Sequence, residues 1–298
     1  TALKVRTFEA FPVDWAMTQN NLGNAYRDRI CGDRTENIEL AIRHFGLALM
    51  IFKFEHLPEK WAMTQNNLAA AYNDRIRDDR AENIEQAIQH YGLSLKIFKQ
   101  DDFPEQWAGT QSNLAAAYND RFRGDRADNI EQAIQYCSLA LKVYKQDDFP
   151  EQWAMTQNNL GNCYGDRIRG DRAENIEQAI THYDLALKVR TAEDYPEKWA
   201  GTQNNLGNAY RNRILGDRAE NIEQAIQHYS LALKIFKHED FPEQWATTLS
   251  NLAVAYNDRI RGDRAENIEQ AIQHYYLVLK IRTMETFPEQ WAVTQNNL

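Results

Sequence analysis

The stretch "EQWAMTQNNLGNCYGDRIRGDRAENIEQAI", residues 151–180, decides the fold, because it returns almost letter for letter along the chain. Trp15, Trp61, Trp107, Trp153, Trp199, Trp245 and Trp291 stand 46 residues apart with no insertion or deletion. Self-similarity at such a fixed period is the mark of a repeat array. Six full repeats follow, 15–60, 61–106, 107–152, 153–198, 199–244 and 245–290. Residues 1–14 match the end of a repeat and 291–298 the start of another, so 1–298 reads as one continuous array with partial repeats at both ends.

Each repeat carries two helical patterns. Trp61, Leu68, Ala71 and Tyr72 share one helical face, which defines a helix A. Ile84, Ala87, Ile88, Tyr91, Leu95 and Phe98 form a second stripe, helix B. Pro104 and Glu105 suit a first helical turn, where a missing N–H costs nothing and an acidic side chain meets the positive end of the dipole. Gly124 is expected to stop helix A, and Asp125 with Asp128, like Asp171 with Glu174, to cap helix B. Lys96 and Lys99 are expected at the far end of helix B. No strand pattern competes.

Composition removes several function classes. The chain has 298 residues, 43% of them hydrophobic, which is ample for a packed core and excludes disorder. A net charge of -9 opposes a nucleic-acid partner, since phosphate binding needs uncompensated Lys and Arg. No apolar run approaches the roughly 20 residues of a membrane span, so no membrane partner is expected. Cys31, Cys137 and Cys163 make an odd count without a CxxC pair, which fits a reducing compartment and a cytoplasmic location. Cys137 and Cys163 replace packing residues of other repeats and read as core thiols, whereas Cys31 reads as exposed. The sequence opens on Thr1 rather than Met, and its first residues carry no secretory or transit pattern.

Leu22, Gly23 and Tyr26 in helix A, followed by Ala41, Phe45, Ala48 and Leu49 in helix B, resemble the signature of tetratricopeptide repeats. The family's ordinary repeat is shorter, so both helices are expected to be long. The "ALKIF…FPEQWA-TQNNLA" joint is similar to the long-repeat arrays of kinesin light chains, and more so to arrays beside caspase-like CHAT protease domains in bacteria, especially cyanobacteria. The resemblance implies an all-α fold, a right-handed superhelical solenoid of antiparallel helix A/helix B hairpins. One hairpin cannot hide its apolar faces, so repeats must stack. Ala41, Ala87, Ala133, Ala179, Ala225 and Ala271 are expected at close helix crossings, and each Trp between neighbours near the Phe of the "FP" joint.

The resemblance also implies a concave groove lined by one helix A position, occupied by Asn21, Asn67, Asn113, Asn159, Asn205, Asn251 and Asn297. Asparagine is an indifferent helix former, so its recurrence mid-helix needs a compensating role. One amide offers both donor and acceptor and can hold an extended backbone whatever its sequence. Asn24, Asn162 and Asn208 extend the ladder in three repeats. The rival role is stitching, each amide bonded to the neighbouring repeat, and the two can coexist. The position two after Trp varies (Met17, Met63, Gly109, Met155, Gly201, Thr247, Val293), as does the position after Tyr (Arg27, Asn73, Asn119, Gly165, Arg211, Asn257). If both line the groove, they tune its ligand.

Asp28, Asp74, Asp120, Asp166 and Asp258 sit near helix A C-termini, against the dipole, and are expected to pair with arginines. His44, His90, His182, His228 and His274 share one helix B position; metal binding needs several ligands on one face, so they read as packing or exposed groups. No G-x-S-x-G, P-loop or dinucleotide fingerprint is present, and equivalent repeats offer no unlike converging groups for a nucleophile and its base. The expected function is a non-catalytic scaffold, without metal or cofactor, holding a protein or peptide ligand. The alternative is an architectural rod that associates end to end, or the sensor arm of a larger CHAT-type protease protein.

Overall fold

Every helix A opens on a proline and every helix B follows an aspartate, and these starts set the architecture. The computed structural model describes residues 6–298, of which residues 6–14 belong to the opening partial repeat; residues 1–5 of that repeat lie outside the described residues. Among the described residues there are thirteen helices and no strand. They are α1 (Pro12–Arg27), α2 (Arg34–Ile51), α3 (Pro58–Asp74), α4 (Arg80–Ser94), α5 (Pro104–Asn119), α6 (Arg126–Ala140), α7 (Pro150–Asp166), α8 (Arg172–Leu187), α9 (Pro196–Asn212), α10 (Arg218–Ile235), α11 (Pro242–Asp258), α12 (Arg264–Val278) and α13 (Pro288–Asn297). Odd-numbered helices are A and even-numbered ones B. Asp33, Asp79, Asp125, Asp171, Asp217 and Asp263 all cap helix B, each carboxylate accepting from a backbone N–H in the first turn.

Helix A ends earlier than its glycine suggests. α5 stops at Asn119, and Gly124 sits just ahead of the Asp125 cap with φ 82°. The glycine therefore turns the chain into helix B and does not stop helix A. The helix A carbonyls are closed instead by arginine: Arg80 donates to the Asn73 carbonyl, Arg126 to Asn119 and Arg172 to Gly165. Lys96 and Lys99 likewise lie beyond α4, which ends at Ser94; Lys99 Nζ donates to the Leu95 carbonyl at 2.7 Å. At the equivalent of Gly124 the second repeat has Asp78, held at φ 64°. A left-handed conformation costs a non-glycine residue about 1 kcal/mol. The Arg75–Asp78 pair at 2.7 Å, in which Asp78 is exposed, offsets only part of that. Asp78→Gly is expected to raise stability by about 0.5 kcal/mol in urea unfolding; a loss would show that the ion pair outweighs backbone strain.

The chain divides into two compact bodies, one ending at Lys145 and the other Gln146–Leu298. Within each, a helix A pairs with the following helix B, and that helix B packs on the next helix A: α2 on α3 and α4 on α5 in the first body, α8 on α9, α10 on α11 and α12 on α13 in the second. Successive A helices also touch, as in α1 with α3 and α9 with α11. The chain is thus an all-α stack of tetratricopeptide-like hairpins. The alanines at the helix B crossings are buried as expected. Trp15 and Trp61, from successive repeats, both pack against the Ala16, Ala48 and Phe52 cluster beside Leu57 of the joint. Trp199 and Trp245 do the same around Phe236 beside Phe241.

Candidate functional site: the amide face of helix A

Each "TQNN" run places four polar side chains along helix A, and the structure gives them separate partners. The glutamines face inward. Gln19, Gln65, Gln157 and Gln203 bond through Oε1 to the Nδ1 of His44, His90, His182 and His228 at 2.5–2.7 Å. Each of those rings is stacked on a helix A tyrosine at 5.3–5.5 Å. The histidines are packing groups, and burial lowers the pKa of all four; His228 falls to about 4.

The asparagines form a ladder between neighbouring helices A. Asn67 Nδ2 donates to Asn20 Oδ1 at 3.3 Å, and Asn205 Nδ2 to Asn158 Oδ1 at 3.4 Å and Asn162 Oδ1 at 3.1 Å. Asn251 Nδ2 donates to Asn204 Oδ1 at 3.1 Å. The threonine ahead of each run joins in: Thr64, Thr110 and Thr202 place Oγ1 3.1–3.2 Å from Asn20, Asn66 and Asn158. The acceptors are the first asparagine of each pair, a role that reading the sequence missed. The signal was present in the invariant threonine and in the doubling of the asparagine.

Asn162 and Asn208 accept the hydroxyls of Tyr183 and Tyr229 at 2.8 and 2.7 Å. The preceding glycine makes this possible, since a Cβ at Gly161 or Gly207 would lie 2.6 Å from a tyrosine ring carbon. Asn24 follows Gly23 in the same way, but the ring packed on Gly23 is Phe45, which has no hydroxyl. Asn21 is exposed, while Asn24, Asn113 and Asn159 are partly buried. Asn297, near the end of α13, is exposed.

In the second body this face holds an open depression of about 340 Å³. Its polar wall is Asn158, Thr202, Asn204 and Asn205, with Gly201 and Thr247 from the variable position two after Trp. Asn205 is the one member of the sequence-derived ladder that lines it. Arg190 and Phe236 reach it from the joints that follow helix B. A smaller hollow of about 240 Å³ occupies the equivalent place in the first body, where Met63 stands in the position of Gly201. The other variable position, after Tyr, lies at the far end of helix A. There Asp74 pairs with Arg34 at 3.5 Å, Asp120 with Arg80 at 3.6 Å, and Asp258 with Arg211 at 3.7 Å, as the aspartate reading expected; Asp28 pairs with its neighbour Arg27 at 3.2 Å.

The tighter ion pairs were not foreseen. Arg75 clasps Glu39 of the preceding repeat with Nε at 2.7 Å and Nη2 at 2.9 Å, and Arg121–Glu85, Arg213–Glu177 and Arg259–Glu223 repeat that bidentate geometry. Cys31 is exposed and Cys137 and Cys163 are buried, as expected. Among the described residues no cluster of three His, Cys, Asp or Glu could hold a metal, and no helix is long and apolar enough to cross a membrane.

Two family models match the chain. The tetratricopeptide repeat model matches residues 61–90 and 245–275, and the Sel1 repeat model matches 16–50, 110–142, 154–188 and 200–234. The chain is a tetratricopeptide-like repeat array, and repeats of these kinds support a general role as a protein–protein interaction scaffold. No curated protein matches it. Among solved structures, BtubC (BKLC) from P. vanneervenii is 18% identical over 90% of each chain, with a TM-score of 0.48.

Proposed function

We propose that this chain is a non-catalytic scaffold that holds an extended segment of a protein partner on the amide face of helix A. One observation carries the reading: the asparagines of the second body are only half used by the stack. Asn205 gives an N–H to Asn158 and Asn162 and keeps its carbonyl oxygen, whereas Asn158 and Asn204 have their oxygens engaged and keep their N–H groups. These three residues line the same depression. An extended backbone presents alternating C=O and N–H groups, and donors and acceptors set side by side match it whatever its side chains. Stitching and ligand binding are therefore two uses of the same amides.

The test is selection of a displayed random-peptide library on the purified protein. Enrichment of peptides that compete with one another for one site is the expected result; a library that yields no binder above background contradicts the reading. End-to-end association is the second reading. Concentration-dependent light scattering separates the two.

A further inference from the structure

Nearly identical repeats create a problem for any extended ligand, because it can bind in several registers of similar energy. A register becomes unique only where repeats differ. Two such differences meet in the depression of the second body. Phe52, Phe98, Tyr144 and Phe236 fill one joint position with an aromatic ring, but the fourth repeat has Arg190 there. Met17, Met63 and Met155 occupy the position two after Trp, where the third and fifth repeats have Gly109 and Gly201; a Cβ on Gly109 would lie 3.0 Å from the Tyr144 hydroxyl, whereas one on Gly201 would meet nothing within 4 Å. The glycine opens space and the arginine brings charge to it.

Arg190 is an uncommon arginine. It is only 6% exposed, yet it lines the depression. Its Nη1 donates to Thr202 Oγ1 at 3.2 Å and its Nη2 to Glu151 Oε1 at 3.3 Å, while its buried Nε has no protein acceptor. Glu151 is shared: Lys198 Nζ approaches the same Oε1 at 2.9 Å. Two cations thus divide one carboxylate. One carboxylate lines the hollow itself, Glu243, and Arg282 faces it at 3.7 Å. Arg282 occupies the same joint position as Arg190 but donates to Thr247 at 2.6 Å, whereas the residue equivalent to Thr247 before Arg190 is Met155, which offers no oxygen. The Arg190–Lys198 pair keeps one uncompensated positive charge in a recess walled by Phe236 and the amides.

We propose that this recess is a subsite for an acidic side chain, Asp or Glu, and that Arg190 fixes the register in which an extended segment lies on the amide face. The inference rests on the groove reading above. The carboxylate reaches Arg190 and Lys198, its methylene stem lies along Phe236 over Gly201, and the flanking backbone meets Asn204 and Asn205. Charge-assisted hydrogen bonds in a partly desolvated recess are stronger than those between neutral groups.

The experiment uses the library described above, selected in parallel on the wild-type protein and on Arg190→Phe, which restores the residue of the first, second and fifth repeats. Wild-type binders are expected to share an acidic residue at one fixed place. A chosen binder and its Glu→Gln (or Asp→Asn) partner are then titrated against both proteins. The wild type is expected to prefer the acidic peptide about tenfold, and Arg190→Phe to lose that preference. A melting curve shows whether Arg190→Phe is folded, and Arg190→Gln, which keeps a polar side chain, provides a second variant. Binders without a fixed acidic residue, or a preference that survives both variants, overturn the subsite and leave the groove standing. A library that yields no binder at all removes the groove and the subsite together.

Discussion

Tyr229→Ala is expected to destabilise the second body by about 3–5 kcal/mol, the largest effect of any single substitution considered. Tyr229 is fully buried where α10 meets α11, among Ala225, Leu249, Leu252 and Val278, and its hydroxyl donates to Asn208. Removing the ring empties the seam between two hairpins, and neighbouring backbone cannot close it because each helix is fixed by its own capped ends. Tyr229→Phe keeps the ring and loses only the hydrogen bond, so its cost is expected near 1 kcal/mol. Because each hairpin is stabilised by its neighbours alone, amide hydrogen exchange in the alanine variant should speed up in α9 to α11 more than in α7. Urea unfolding of both variants checks the ratio; equal and small losses would mean that the seam is not a close-packed core.

Acidification gives the second large effect. His44, His90, His182, His228 and His274 all have pKa values lowered, chiefly by burial, with His228 at about 4. The unfolded chain takes up these protons near pH 6.5, while the folded chain resists them. More protons on the unfolded state mean that stability falls as pH falls, so this contribution is complete above about pH 6.5 and declines toward pH 4. For His228 alone, the gap from 6.5 to about 4 corresponds to roughly 3 kcal/mol. Glu39, lowered by its hydrogen bond from Arg75, acts only below the ordinary carboxylate range, and Asp74 and Asp184, raised by burial, act in the opposite direction, so a fall in melting temperature between pH 6.5 and 5 comes from the histidines. The melting temperature is expected to drop steeply across that interval and less steeply in His228→Gln. A melting temperature independent of pH from 7 to 5 would contradict the buried neutral stacks.

The fold was legible because the spacing of tryptophan, the Pro–Glu starts and the apolar stripes are local properties of the chain. Helix ends were less so: Gly124 looks like a stop, but an arginine from the next helix closes helix A several residues earlier. The site was half legible. Asparagine in mid-helix signals a polar ladder, yet its acceptors, Asn20, Asn158 and Asn204, are 47 residues from their donors and become neighbours only once hairpins stack. The Arg75–Glu39 clasp is hidden for the same reason. Arg190 stands out against phenylalanine in the alignment of repeats, but nothing local shows that it shares a recess with Gly201.

The central claim is that amides stitching the stack also hold a guest backbone. Calorimetric titration of a library-selected peptide into the wild type and into Asn204→Ala/Asn205→Ala, with a melting curve of each protein, tests it most directly. The account predicts about a hundredfold weaker binding with the melting temperature lowered by no more than about 5 °C. Unchanged affinity in a folded double variant would contradict it.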